Sequence, residues 1–178
     1  MGAFEYNANT GTYTQVNVNS FGYFDASDNP EFDSTYRMAV AGLSGSETLY
    51  AGLWGNLGAQ VFAYDSVTGS WNPNNPPWNL TNNAGVNSMV EFNEHLIVGS
   101  YNLTDGSEVW MYDGATWTQI NTSGFGAGAS NYATDALAVY SGNLYASVAN
   151  SGGFQLWRYD GGTVWTQIFG GGFDNANN

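Results

Sequence analysis

The sequence predicts an all-β protein of β-propeller-type repeats, with about three and a half four-stranded antiparallel blades in the chain. Three observations carry this expectation. One segment is written three times, as Gln60-Val61-Phe62-Ala63-Tyr64-Asp65, Glu108-Val109-Trp110-Met111-Tyr112-Asp113 and Gln155-Leu156-Trp157-Arg158-Tyr159-Asp160. Tyr64, Tyr112 and Tyr159 lie 48 and then 47 residues apart, a period that marks a propeller or an array of stacked units rather than one irregular core. Between the copies run short aromatic and β-branched stretches separated by Gly, Asn, Asp and Ser, and no window keeps the three-and-four apolar spacing of a helix.

Each unit divides into four strands, a to d. The chain opens with a degenerate c and d pair, Ala3 to Tyr6 and Tyr13 to Val16, which makes residues 1–18 a partial blade. Blade 1 (19–72) has Met38-Ala39-Val40-Ala41, then Leu49 to Trp54, Val61 to Tyr64 and a weak fourth strand around Trp71, with a long entry connection from Asn19 to Tyr36. Blade 2 (73–121) has Met89 to Phe92, Leu96 to Tyr101, Val109 to Tyr112 and Thr116 to Ile120. Blade 3 (122–170) has Ala136 to Tyr140, Leu144 to Val148, Phe154 to Tyr159 and Val164 to Ile168, and residues 171–178 form a tail. The turns Ser141-Gly142-Asn143, Asp113-Gly114 and Asp160-Gly161-Gly162 place glycine and short polar side chains where the backbone reverses.

Tyr112-Asp113 followed by Thr116-Trp117, Tyr159-Asp160 followed by Trp165, and Tyr64-Asp65 followed by Trp71 resemble the Tyr and Trp pair of kelch-like repeats. Asp113-Gly114-Ala115-Thr116-Trp117 resembles a shortened Asp-box hairpin. The kelch glycine doublet at the end of strand b is absent, its places being taken by Ala51-Gly52, Val98-Gly99 and Ala146-Ser147. The resemblance spans nearly the whole chain at the level of the repeat. It implies a propeller and no particular family member.

Closed propellers have about four to eight blades, and Gly172 to Asn178 brings no further strand a. An open arc bares two blade faces. The expectation is therefore a ring completed by self-association, most simply a head-to-tail homodimer; the competing reading is a piece of a longer repeat protein.

Composition sets outer limits. The 43% hydrophobic and 16% aromatic content of these 178 residues supports a packed core. Fifteen acidic residues against Arg37 and Arg158 leave a net charge of -13, a field that repels phosphate backbones and anionic membranes, so neither nucleic acid nor a membrane is an expected partner. There is no cysteine, and no apolar stretch approaches the length of a membrane span. The N-terminus has no basic region or apolar run, which argues against a signal peptide. With one histidine, a histidine-cluster metal site is excluded, and no cofactor other than calcium is expected.

His95 falls between strands a and b as a turn residue. Asp65, Asp113 and Asp160 recur with Trp71, Trp117 and Trp165, which reads as hairpin shaping and inter-blade packing. The arginine triad of Asp-box sialidases cannot be assembled from two arginines. What breaks the repeat is more informative. The b-to-c and d-to-a connections should share one face, where Trp54, Asn56, Trp78, Tyr101, Asn102 and Asn150 would offer aromatic faces and amides to a sugar. Asp25, Asp28, Glu31 and Asp33 form a loop cluster with the oxygen chemistry of a calcium site. The reading is a non-enzymatic binding module for a glycan or protein. The alternatives are a carboxylate-dependent glycoside hydrolase or lyase and a structural self-assembling unit.

Overall fold

A computed structural model describes residues 4–15, 32–43 and 45–171, with the backbone alone at Glu5 and residues 32–36. The described chain is all-β. A hairpin of β1 (Phe4–Asn7) and β2 (Thr12–Gln15) stands as its own two-stranded sheet. Unit 1 follows as β3 (Phe32–Leu43), β4 (Ser46–Gly55), β5 (Gln60–Asp65) and β6 (Ser70–Pro73). Unit 2 is β7 (Gly85–Phe92), β8 (His95–Tyr101), β9 (Val109–Tyr112) and β10 (Trp117–Gln119). Unit 3 is β11 (Asn131–Tyr140), β12 (Asn143–Asn150), β13 (Gln155–Gly161) and β14 (Val164–Gly170). In every unit each strand pairs antiparallel with the next in sequence.

The first strands are longer than in the sequence reading, β7 beginning at Gly85 rather than Met89 and β11 at Asn131 rather than Ala136. Strand β3 reaches back to Phe32, inside the stretch expected to be connection, because β4 continues to Gly55 and supplies it with pairing partners. The weak fourth strand of unit 1 is a full partner of β5, from Phe62↔Pro73 to Asp65↔Ser70.

The strand ladder passes between adjacent units at Trp54↔Gly85 and Tyr101↔Ala133, and their first strands lie side by side in the order β3, β7, β11. The core is therefore between units. The consecutive apolar run Leu96-Ile97-Val98 in β8 is covered on both faces, as period-two geometry requires. Leu96 and Val98 join Ala41, Leu43, Tyr50, Val61 and Val86 on the unit 1 side. Ile97 joins Phe92, Val109, Ile120 and Leu144 on the unit 3 side. All three β8 residues are fully buried, each contributing about 1.5–3 kcal/mol.

One irregularity repeats. Each first strand carries an extra residue against its partner, between Thr35 and Arg37, Val86 and Ser88, and Thr134 and Ala136. Such bulges turn a side chain out of the regular alternation, and these three occupy the same place in each unit. Gly85 is needed where units 1 and 2 meet: a Cβ there would lie 1.9 Å from Cε3 of Trp54.

Candidate functional site

The repeat aspartates are committed to their own turns. The Asp113 carboxylate accepts hydrogen bonds from the Ala115 and Thr116 amides at 2.8 and 2.7 Å and from the Thr116 hydroxyl at 2.9 Å. Those bonds, the Thr116 amide foremost, hold its pKa down to about 2. Asp65 does the same with Val67 and Thr68, and the amide of Asn7 substitutes in the N-terminal hairpin, accepting from Asn9 and Thr10. Asp160 instead holds Arg158, at 2.8 Å, and Thr166. Beside each turn an aromatic pair packs across the hairpin: Tyr6 with Tyr13, Tyr64 with Trp71, Tyr112 with Trp117 and Tyr159 with Trp165, with centroids 4.7–5.2 Å apart.

His95 is the first residue of β8 rather than part of the turn, and its Nδ1 donates to the Asn93 carbonyl at 2.6 Å. It borders a cleft of about 270 Å³ between units 2 and 3, together with Met111, Asp113, Gln119 and Tyr159. No serine lines this cleft; its hydroxyl groups are those of Thr116, Thr118, Thr163 and Tyr159.

The b-to-c and d-to-a connections do share one face, since their backbones hydrogen-bond to one another: Ala59 N–H to the Asn83 carbonyl at 2.7 Å, Asn102 N–H to Tyr132 at 2.8 Å and Ser107 N–H to Asn131 at 2.8 Å. Here the candidates separate. Trp54 and Tyr101 come together, centroids 4.7 Å apart, and Tyr132 extends the row at 5.8 Å from Tyr101. Trp78 does not belong to a binding surface: it is 6% exposed and donates its indole N–H to the Ala59 carbonyl. Asn102 is fully buried; its carbonyl accepts from the Thr104 and Asp105 amides, and its amide donates to Asn83. Asn150 repeats that bond to Asn131 one unit later. In turn Asn83 donates to Glu108 and Asn131 to Gln155, and those two acceptors receive the indole N–H of Trp110 and Trp157. Asn102, buried, and Asn150, half-buried, are thus links in a polar network that fixes the connections. The expected role of Asn102 as a ligand amide is corrected by that burial and pairing, while Asn150 spends its amide on Asn131 and its side-chain carbonyl on the Gly152 amide.

Asn56 alone of these amides stays exposed. It borders a groove of about 300 Å³ with Leu57, Leu80 and Thr81, between the turn after β4 and the segment before β7. Leu57 and Leu80 are exposed beside those polar groups. Sequence reasoning missed the leucines and Thr81, because no repeat partner marks them.

The bulged residues form a further polar pair. Asn87 donates to the Asp135 carboxylate at 3.0 Å, joining units 2 and 3 along their first strands. Burial pushes the Asp135 pKa up, against the Asn87 bond and the charge of Arg37. Asn87 is itself buried, and its Oδ1 has no hydrogen-bond partner. The spacing of 48 between Asn87 and Asp135 equals the first repeat interval and was the available signal.

Of the expected calcium ligands, Asp25, Asp28 and Glu31 lie outside the described residues, and Asp33 falls at the start of β3, where only backbone is described. Among the described residues no three His, Cys, Asp or Glu side chains cluster as a metal site, and no helix is long and apolar enough to cross a membrane.

No protein-family model and no curated protein matches the chain. Among solved structures, one similar chain is a glycoside hydrolase family 43 arabinoxylan arabinofuranohydrolase from Bacillus subtilis in complex with cellotetraose. It is 13% identical with a TM-score of 0.47 over 93% of this chain. The match spans 47% of that structure's length.

Proposed function

We propose that the three units are consecutive blades of a propeller-type arc and that the chain is a non-enzymatic binding module whose loop-face groove takes a neutral glycan. Support for the arc comes from three four-stranded meanders in sequence order, their first strands adjacent and their joints repeated. The groove beside Asn56 carries the ligand reading. It sets exposed leucine side chains next to an amide and a hydroxyl, a mixture that suits a pyranose with its apolar C–H face and hydroxyl rim. A surface relying on Asn, Ser and Thr with only two basic residues favours an uncharged ligand over an anionic one.

A glycan array followed by calorimetry on the intact chain tests this. Retention of a neutral oligosaccharide without release of reducing ends is expected, weakened at least about tenfold, about 1.4 kcal/mol, by Asn56→Ala with Thr81→Ala. Binding indifferent to both substitutions, or none at all, removes the proposal, and turnover in the same assay favours a hydrolase.

A further inference from the structure

The c–d hairpins of units 2 and 3 each present one face to the unit before, and the register identifies that face. In unit 2 it is Trp110, Tyr112 and Trp117, packed against the unit 1 side. In unit 3 Tyr159 and Trp165 pack against unit 2, with Trp157 on Phe125. The strand pairings Phe4↔Gln15 and Tyr6↔Tyr13 put Phe4, Tyr6 and Tyr13 in the same places on β1 and β2. There they are 59%, 54% and 72% exposed.

The opposite face is identified the same way. Unit 2 receives unit 3 on Phe92, 9% exposed, and Ile120, 2% exposed, with Tyr159 edge-on to Phe92 at 6.3 Å. The equivalent residues of unit 3 are Tyr140, paired with Asn143 as Phe92 is with His95, and Ile168, which follows Gln167 as Ile120 follows Gln119 but sits at a bulge before Phe169; they are 73% and 46% exposed. Where unit 2 has Met111, unit 3 has Arg158, neutralised by Asp160.

We infer that the β1–β2 hairpin of a second copy of this chain seats on the outer face of unit 3, with Tyr6 and Tyr13 against Tyr140 and Ile168 as Tyr159 and Trp165 sit against Phe92 and Ile120. The contact is head to tail, one patch meeting a different one. Two copies make it twice and close, contributing six four-stranded units and two hairpins. Four of these five exposed residues, Phe4, Tyr6, Tyr13 and Tyr140, are aromatic, the class enriched at interface centres. Within one chain both patches stay exposed, so the chain's own hairpin does not cover the outer face of unit 3, which points to a second copy.

Light scattering coupled to size exclusion on the full chain tests it. The expected mass is twice 19.1 kDa. Tyr13→Glu alone and Tyr140→Glu alone should each give monomers with unchanged far-ultraviolet circular dichroism, while Val67→Glu, at a 93% exposed turn, leaves the dimer intact. Mixing the two monomeric variants should restore a dimer, because one intact hairpin then meets one intact outer face. A monomeric parent chain at all concentrations, a dimer that survives both single substitutions, or a mixture that stays monomeric overturns the inference.

Discussion

Trp165 donates its indole N–H to the backbone carbonyl of Ile120 at 2.7 Å, pinning the last strand of unit 3 to the end of the last strand of unit 2. One unit earlier Trp117 reaches Asn74, three residues past Trp71 as Ile120 is past Trp117, but at 3.4 Å and through a side-chain amide. The same latch is thus made twice with different strength.

Trp165→Phe keeps the ring and strands a carbonyl, a loss of about 1–3 kcal/mol. Trp117→Phe should cost less, since its bond is long and Asn74 can turn to solvent. Urea unfolding of both variants checks the order; an equal or reversed loss contradicts the latch.

Acid should find Asp113. Its folded pKa, about 2, lies below the ordinary 3.8, so the stabilisation is complete above about pH 4 and is lost as the pH falls toward 2. Asp113→Asn should unfold more easily than the parent at neutral pH, and the difference should shrink on acidification. Urea midpoints across that window measure it, and a difference independent of pH refutes the assignment.

At the joint of units 1 and 2, Gly85→Ala drives a methyl into the Trp54 ring and should destabilise the chain by about 1–3 kcal/mol. Adding Trp54→Leu should recover part of the loss. Failure of the second substitution to relieve the first, read by chemical unfolding, would show that the clash is taken up elsewhere.

Leu96→Ala empties a fully buried position between units 1 and 2 and should cost about 2–5 kcal/mol. Val67→Ala, on an exposed turn, should stay within about 0.5 kcal/mol. Differential scanning calorimetry of the pair tests whether the joint between units carries the stability.

Local chemistry made the strand order readable in advance. Asp113 and Gly114 specify their turn within four residues, and Tyr112 with Trp117 declares a hairpin because cross-strand neighbours must match. These signals travel no further than one hairpin. The burial of Trp78 and Asn102 was illegible for that reason: Ala59 lies 19 residues from Trp78, and Asn83 lies 19 residues from Asn102.

By itself the amino-acid sequence determined the repeat, its strands and its turns, because alternation, glycine placement and side-chain capping act over a few bonds. Only the tertiary structure decided which amides are spent inside, that Asn87 and Asp135 meet through aligned bulges, and that Asn56 alone among the expected amides faces solvent. Those outcomes depend on which unit covers which face, and contact across the joint is set by packing of strands about 48 residues apart.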